Sequence, residues 1–122
     1  MRCCAHILNL IVQDGLKELD ACVVRIRSAV RFVRSSPQRM KTFKLCAQKE
    51  SITYKFQVIL DMPTRWNYTY LMLDRAQKYQ KAFERLEEED ENFVKEFGTL
   101  GCPSLDDWDK CRLFVKFLKL FY

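Results

Sequence analysis

The sequence predicts a mainly α-helical fold with at most one or two short strands, on three observations. Apolar residues recur at intervals of three and four over long stretches. The glycines number only three in 122 residues, all isolated. Hydrophobic residues make up 48% and aromatics 13% of the chain, enough to build the core of about one domain.

The elements follow in order. Leu8, Val12, Leu16, Leu19, Val23, Ile26, Val30 and Val33 keep the helical period over many turns, with only Gly15 disturbing it, as one long helix or two joined near Asp14-Gly15. Ser35-Ser36-Pro37 closes the run, because proline disfavours helix in the residue before it and serine favours turns. Residues 38–50 form a short basic helix. Tyr54, Phe56, Val58 and Leu60 then alternate, the period of one short strand over 52–61. Pro63 breaks the chain, and Thr64 can cap a helix from Arg65 to about Glu88. Its two apolar stripes are Trp66, Tyr70, Leu73 and Ala76, and Tyr68, Met72, Tyr79 and Phe83, so it is buried on more than one side. The acidic run 87–91 reads as a solvated turn, Phe93 to Phe97 as one more turn of helix ended by Gly98 and Gly101. Leu105 to Tyr122 is a last helix, acidic at its start and basic at its end in the sense the helix dipole favours, with a stripe of Trp108, Phe114, Phe117, Leu118 and Phe121.

Charge is uneven. Residues 1–60 hold 11 Lys/Arg against 4 Asp/Glu, whereas 61–122 hold 10 against 12, so an acidic partner such as nucleic acid would dock on the first half. Arg27, Arg31 and Arg34 line one helical face, and Arg39, Lys41, Lys44 and Lys49 continue the charge past the proline. The same pattern is that of a solvated helix face, and composition alone does not choose. The six cysteines sit mostly inside helical patterns and read as reduced and intracellular rather than as a disulfide scaffold. The apolar run after Met1 is interrupted by His6 and Asn9 and lacks a cleavage pattern, which argues against a signal peptide. No stretch approaches the roughly 18 apolar residues of a membrane span.

Chemistry is sparse. With His6 the only histidine, a nucleophile has one possible base and nothing fixes a partner for it. Cys3 and His6 stand one helical turn apart, but a structural zinc site wants four ligands and no second pair accompanies them. They read as a packing cysteine and a hydrogen-bonded histidine, with no metal and no cofactor. Isolated glycines exclude a phosphate loop.

The wording of several segments says more than their composition. RCCAHILNLIVQDGLK (2–17), IRSAVRFVRSSPQR (26–39), LDMPTRWNYTYLML (60–73), AFERLEEED and DDWDKCRLFVKFLKLFY together resemble the hAT superfamily of DNA transposases, in particular domesticated plant zinc-finger BED proteins of the RICESLEEPER and DAYSLEEPER type. The resemblance runs in order over essentially the whole chain. It implies an RNase H-like catalytic fold interrupted by a helical insertion, with residues 1–61 part of that core and 62–122 the start of the insertion. Cys3 and His6 match the family's Cys-x-x-His helix. Arg65 and Trp66 match an Arg-Trp pair whose tryptophan stacks on a base of the flanking DNA, so the resemblance makes them the leading DNA-binding residues, with Arg27, Arg31 and Arg34 as backbone contacts. Tyr68 departs from the pattern, which favours a small residue there.

By the family's order the three catalytic acidic residues lie upstream of Met1 and downstream of Tyr122, so the isolated chain is expected to be a truncated, catalytically inactive fragment. Asp61 and Asp74 are not expected to replace them, since two-metal chemistry needs carboxylates converging on one pair of ions. The expectation is a DNA-binding fragment of a nuclear, transposase-derived protein, partnered by DNA and by its parent chain or a second copy, and by no membrane. Two rivals stand beside it: a protein-interaction fragment whose exposed apolar helices, especially Phe114 to Phe121, dock on a parent or partner, and an active nuclease or transposase.

Overall fold

The computed structural model describes residues 20–62 and 66–120, with Trp66 described in its backbone alone. Six α-helices occur among them: α1 (20–34), α2 (Pro37–Lys49), α3 (Trp66–Lys78), α4 (Gln80–Glu89), α5 (Glu91–Phe97) and α6 (Leu105–Lys119). None is long and apolar enough to cross a membrane.

Local chemistry sets most boundaries. At the end of α1 the Ser35 backbone and hydroxyl both donate to the Phe32 carbonyl. Ser36 then caps α2, its Oγ accepting from the Arg39 N–H at 3.1 Å, with Pro37 in the first turn where no N–H is needed. The other end of α2 closes as Ile52 N–H reaches back to Ala47 and Ser51 N–H to Gln48. That closure holds Ser51 at φ 56°, a left-handed position that glycine occupies without steric cost. Ser51→Gly is therefore expected to stabilise the fold by about 0.5–1 kcal/mol, read as a rise of about 3 °C in the thermal midpoint. Asp90 caps α5 through Asn92 N–H. Gly98 (φ 51°) ends α5 in a single 3₁₀ turn, and Gly101 (φ 78°) turns the chain toward α6. There Ser104 and Asp107 cap each other's backbone N–H groups reciprocally.

One continuous core joins all six helices. Ile26, Ala29, Val30 and Val33 of α1, Met72, Leu73 and Ala76 of α3, and Cys111 of α6 are sealed from solvent. Helix α2 packs on α4, and α3 on α6. Aromatic rings knit the layers: Trp108 stacks on Phe83 at 5.5 Å, Phe83 meets Phe43 at 4.6 Å, and Phe93 of α5 sits edge-on to Phe32 of α1 at 5.1 Å.

Three expectations are corrected. Residues 52–61 form no strand, and no strand occurs among the described residues. The segment runs over the helices, its carbonyls served by side chains: Tyr79 donates to Tyr54 and Phe56, Arg75 to Gln57, Arg34 to Val58. Of the alternating residues only Val58 is fully buried, while Phe56 and Leu60 are exposed. The helix expected from Arg65 to Glu88 is two, because Tyr79 leaves helical geometry (φ −103°, ψ 16°) and its N–H bonds three residues back, to Ala76. The acidic run is likewise more than a turn: residues 87–89 finish α4, and Glu89 accepts from Arg85 and Lys49.

Candidate nucleic-acid interface

Helix α1 carries four arginines, and the fold divides them. Arg25 turns inward, donating to the Leu100 carbonyl at 3.1 Å and to Asp107 at 3.2 Å. Arg27 grips Asp61 with both arms, Nε and Nη2 each 2.8 Å from a carboxylate oxygen, and Thr69 Oγ1 adds a third bond at 2.7 Å. The Asp61 side chain is wholly shielded from solvent. Its hydrogen bond to Arg27, helped by Thr69, holds its carboxyl below the usual carboxylate range despite burial. Arg27 is thus neutralised in an ion pair that, through Asp61 and Thr69, ties α1 to the start of α3.

Arg31 is exposed with no carboxylate partner among the described residues, and Arg34 is exposed while anchoring one Nη1 on Val58. Beyond the turn Arg39 lies 4.0 Å above the Phe32 ring and donates to Ser35. Lys41 and Lys44 are exposed on α2, which contains no acidic residue. A shallow hollow of about 300 Å³ lined by Arg34, Ser35, Ser36, Pro37 and Met40 marks the α1–α2 corner.

Arg65, Cys3 and His6 lie outside the described residues, and of Trp66 only the backbone, opening α3, is placed. Tyr68 is half-buried. Among the described residues no three His, Cys, Asp or Glu side chains are grouped to hold a metal ion. Cys22, Cys46, Cys102 and Cys111 are free thiols, and burial raises them all, Cys22 and Cys102 to about 11 and Cys111 to about 12. Such thiols stay protonated at neutral pH and make poor nucleophiles. Sequence reasoning missed Thr69 and the outward grouping of Tyr54 and Phe56 with Arg75 and Lys78. The signal for the second was present as alternating aromatics and cations three residues apart.

These features define a helical domain whose α1 and α2 carry Arg31, Arg34, Arg39, Lys41 and Lys44 without a carboxylate partner among the described residues. The family model for the ZBED1 RNase-like helical domain matches residues 1–117, and the chain belongs to that family. It is 37% identical over its full length to Zinc finger BED domain-containing protein RICESLEEPER 2 of Oryza sativa subsp. japonica, covering 16% of that protein. It is 34% identical over its full length to a Zea mays protein named for the AC transposase, covering 15% of it. A Talaromyces stipitatus protein named as a transcriptional regulator, tpeD, is 43% identical over 114 residues, 90% of this chain and 12% of that one. The chain therefore spans about a sixth of the length of the first two relatives. No solved structure matches it.

Proposed function

We propose that this chain is a DNA-contacting helical part of a nuclear, transposase-derived protein and performs no strand transfer by itself. The observation that carries the reading is the one-sided charge of α1 and α2: residues 20–49 hold eight Lys/Arg and a single acidic residue, Asp20. After the inward pairs and the Lys49–Glu89 contact are subtracted, Arg31, Arg34, Arg39, Lys41 and Lys44 remain outward as phosphate contacts. The Arg-Trp pair at 65–66 belongs to the same proposal, Trp66 stacking on an unpaired base and Arg65 holding the adjacent phosphate. So does the boundary near residue 61 between an RNase H-like part and a helical insertion.

Fluorescence anisotropy with duplex DNA tests it. Wild type should bind with a steep salt dependence, and the triple substitution Arg31→Gln, Lys41→Gln, Lys44→Gln should weaken binding and flatten the log–log salt slope by about 2–3, near 0.9 per lost contact. An unchanged slope removes these residues from the interface. Trp66→Ala should lose DNA affinity with the circular dichroism spectrum intact; a lost fold instead would make it a core tryptophan. Cleavage of DNA by the chain that stops on chelation would overturn the non-catalytic part. A second reading has its own observation: Phe114, expected on the docking surface, is buried, but Leu113 of α6 and Leu120 just past its end are 68% and 79% exposed. They suit docking on the parent chain or a second copy, which would appear as concentration-dependent association unaffected by salt.

A further inference from the structure

Opposite in character to the arginine face is a small aromatic step where residues 52–58 cross the α3–α4 corner. Its backbone is fixed from below, the Tyr79 hydroxyl donating to the carbonyls of Phe56 at 2.7 Å and Tyr54 at 3.3 Å, and Arg75 Nη1 to that of Gln57 at 3.3 Å. The rings brace one another, Tyr54 lying edge-on to Phe56 and to Tyr79, each at 5.8 Å. Cations crown them: the Arg75 guanidinium stands 4.9 Å from the Phe56 centroid and the Lys78 ammonium 5.9 Å from that of Tyr54. Yet Phe56 remains 49% exposed. Core packing does not account for a phenylalanine held this firmly and left half in water.

From Lys78 a groove of about 230 Å³ continues past Lys81 and Arg112. Among the nearby carboxylates Asp109 pairs with Arg112, while Asp74 and Glu84, the latter lining the groove, accept only from the neutral amides of Gln77 and Gln80 and keep their charge, so Lys55, Arg75, Lys78 and Lys81 outnumber them. Lys55 lies exposed between the two aromatics.

We propose that this step is a stacking site for an unpaired base of a single-stranded nucleic acid, the base lying on the open face of Phe56 and the flanking phosphates on Arg75, Lys78 and Lys81. A duplex keeps its base faces covered, whereas a splayed strand offers both a π-face and a charged backbone, the two chemistries gathered here. The inference rests on the nucleic-acid reading above and adds to it a second site and a strandedness.

The test measures binding of the full chain to a labelled short oligo(dT), to an abasic oligomer of equal length, and to duplex DNA. Wild type should prefer oligo(dT) to the abasic strand. Phe56→Leu, which keeps apolar bulk, should weaken oligo(dT) binding about tenfold and leave the duplex and abasic affinities unchanged. Phe56→Trp should retain oligo(dT) binding and show fluorescence quenching on saturation, which guards against a folding defect in the leucine variant. Equal affinity for oligo(dT) and the abasic strand, or an indifferent Phe56→Leu, overturns the stacking site while duplex binding leaves the broader reading standing. Absence of binding to all three ligands overturns both.

Discussion

Trp108→Ala is expected to lower the unfolding free energy by about 3–5 kcal/mol, a large part of the 5–15 kcal/mol that holds a domain together. The indole is 1% exposed and stacks on Phe83 with the planes 28° apart. Phe83 contacts Phe43, Phe43 contacts Tyr79, and Tyr79 contacts Tyr54, so one line of rings runs from α6 through α4 and α2 to the surface step. Alanine would leave a cavity at the head of that line, where the packed core limits how far its side chains can collapse into it. Urea unfolding followed by circular dichroism measures the change, with Leu113→Ala on the exposed side of α6 as the contrast, expected to shift stability by no more than about 0.5 kcal/mol. Similar midpoints for the two variants would mean that α6 does not complete the core.

The second large effect is at Asp61. Asp61→Ala should cost about 3 kcal/mol, because it strands the Arg27 guanidinium and the buried Thr69 hydroxyl together. The value sits toward the lower end for a broken ion pair because the Arg27 side chain is 23% exposed, so water relieves part of the loss. The pH dependence has a definite sign. Arg27 and Thr69 depress the Asp61 pKa in the folded state, so its stabilisation is complete above the unfolded carboxylate value of about 3.9 and is lost as pH falls through the lower folded one. The stability difference between wild type and Asp61→Ala should therefore be flat near neutrality and shrink below about pH 4. A difference that instead grows on acidification would show that Asp61 is not held as a carboxylate.

The Asp61 effect bears on the proposed function through position. The Arg27–Asp61–Thr69 bonds join α1, which carries the outward arginines, to α3, which Trp66 opens. Loosening them would change the spacing between those surfaces as well as the stability.

What the sequence determined by itself was whatever depends on near neighbours. The three-and-four spacing of Val23, Ile26, Val30 and Val33 placed those residues in the core, since a helix brings them to one side whatever it packs against. Ser36-Pro37 set the entry to α2 and Gly98 the exit from α5, because capping and left-handed geometry are decided within a few residues. The family was legible in the same way, from contiguous wording.

Tertiary structure decided what hangs on distant partners. Period two over 52–60 is shared by a strand and by an extended segment lying on helices, and only the donors available, side chains of α1, α3 and Tyr79 rather than a neighbouring backbone, made it the latter. The apolar stripes run through Tyr79 unbroken, so nothing local announces the turn between α3 and α4. Arg27, Arg31 and Arg34 look equivalent on a helical wheel. The carboxylate that takes Arg27 out of solvent lies 34 residues away, and charge is free or committed according to what the fold brings within 3 Å of it.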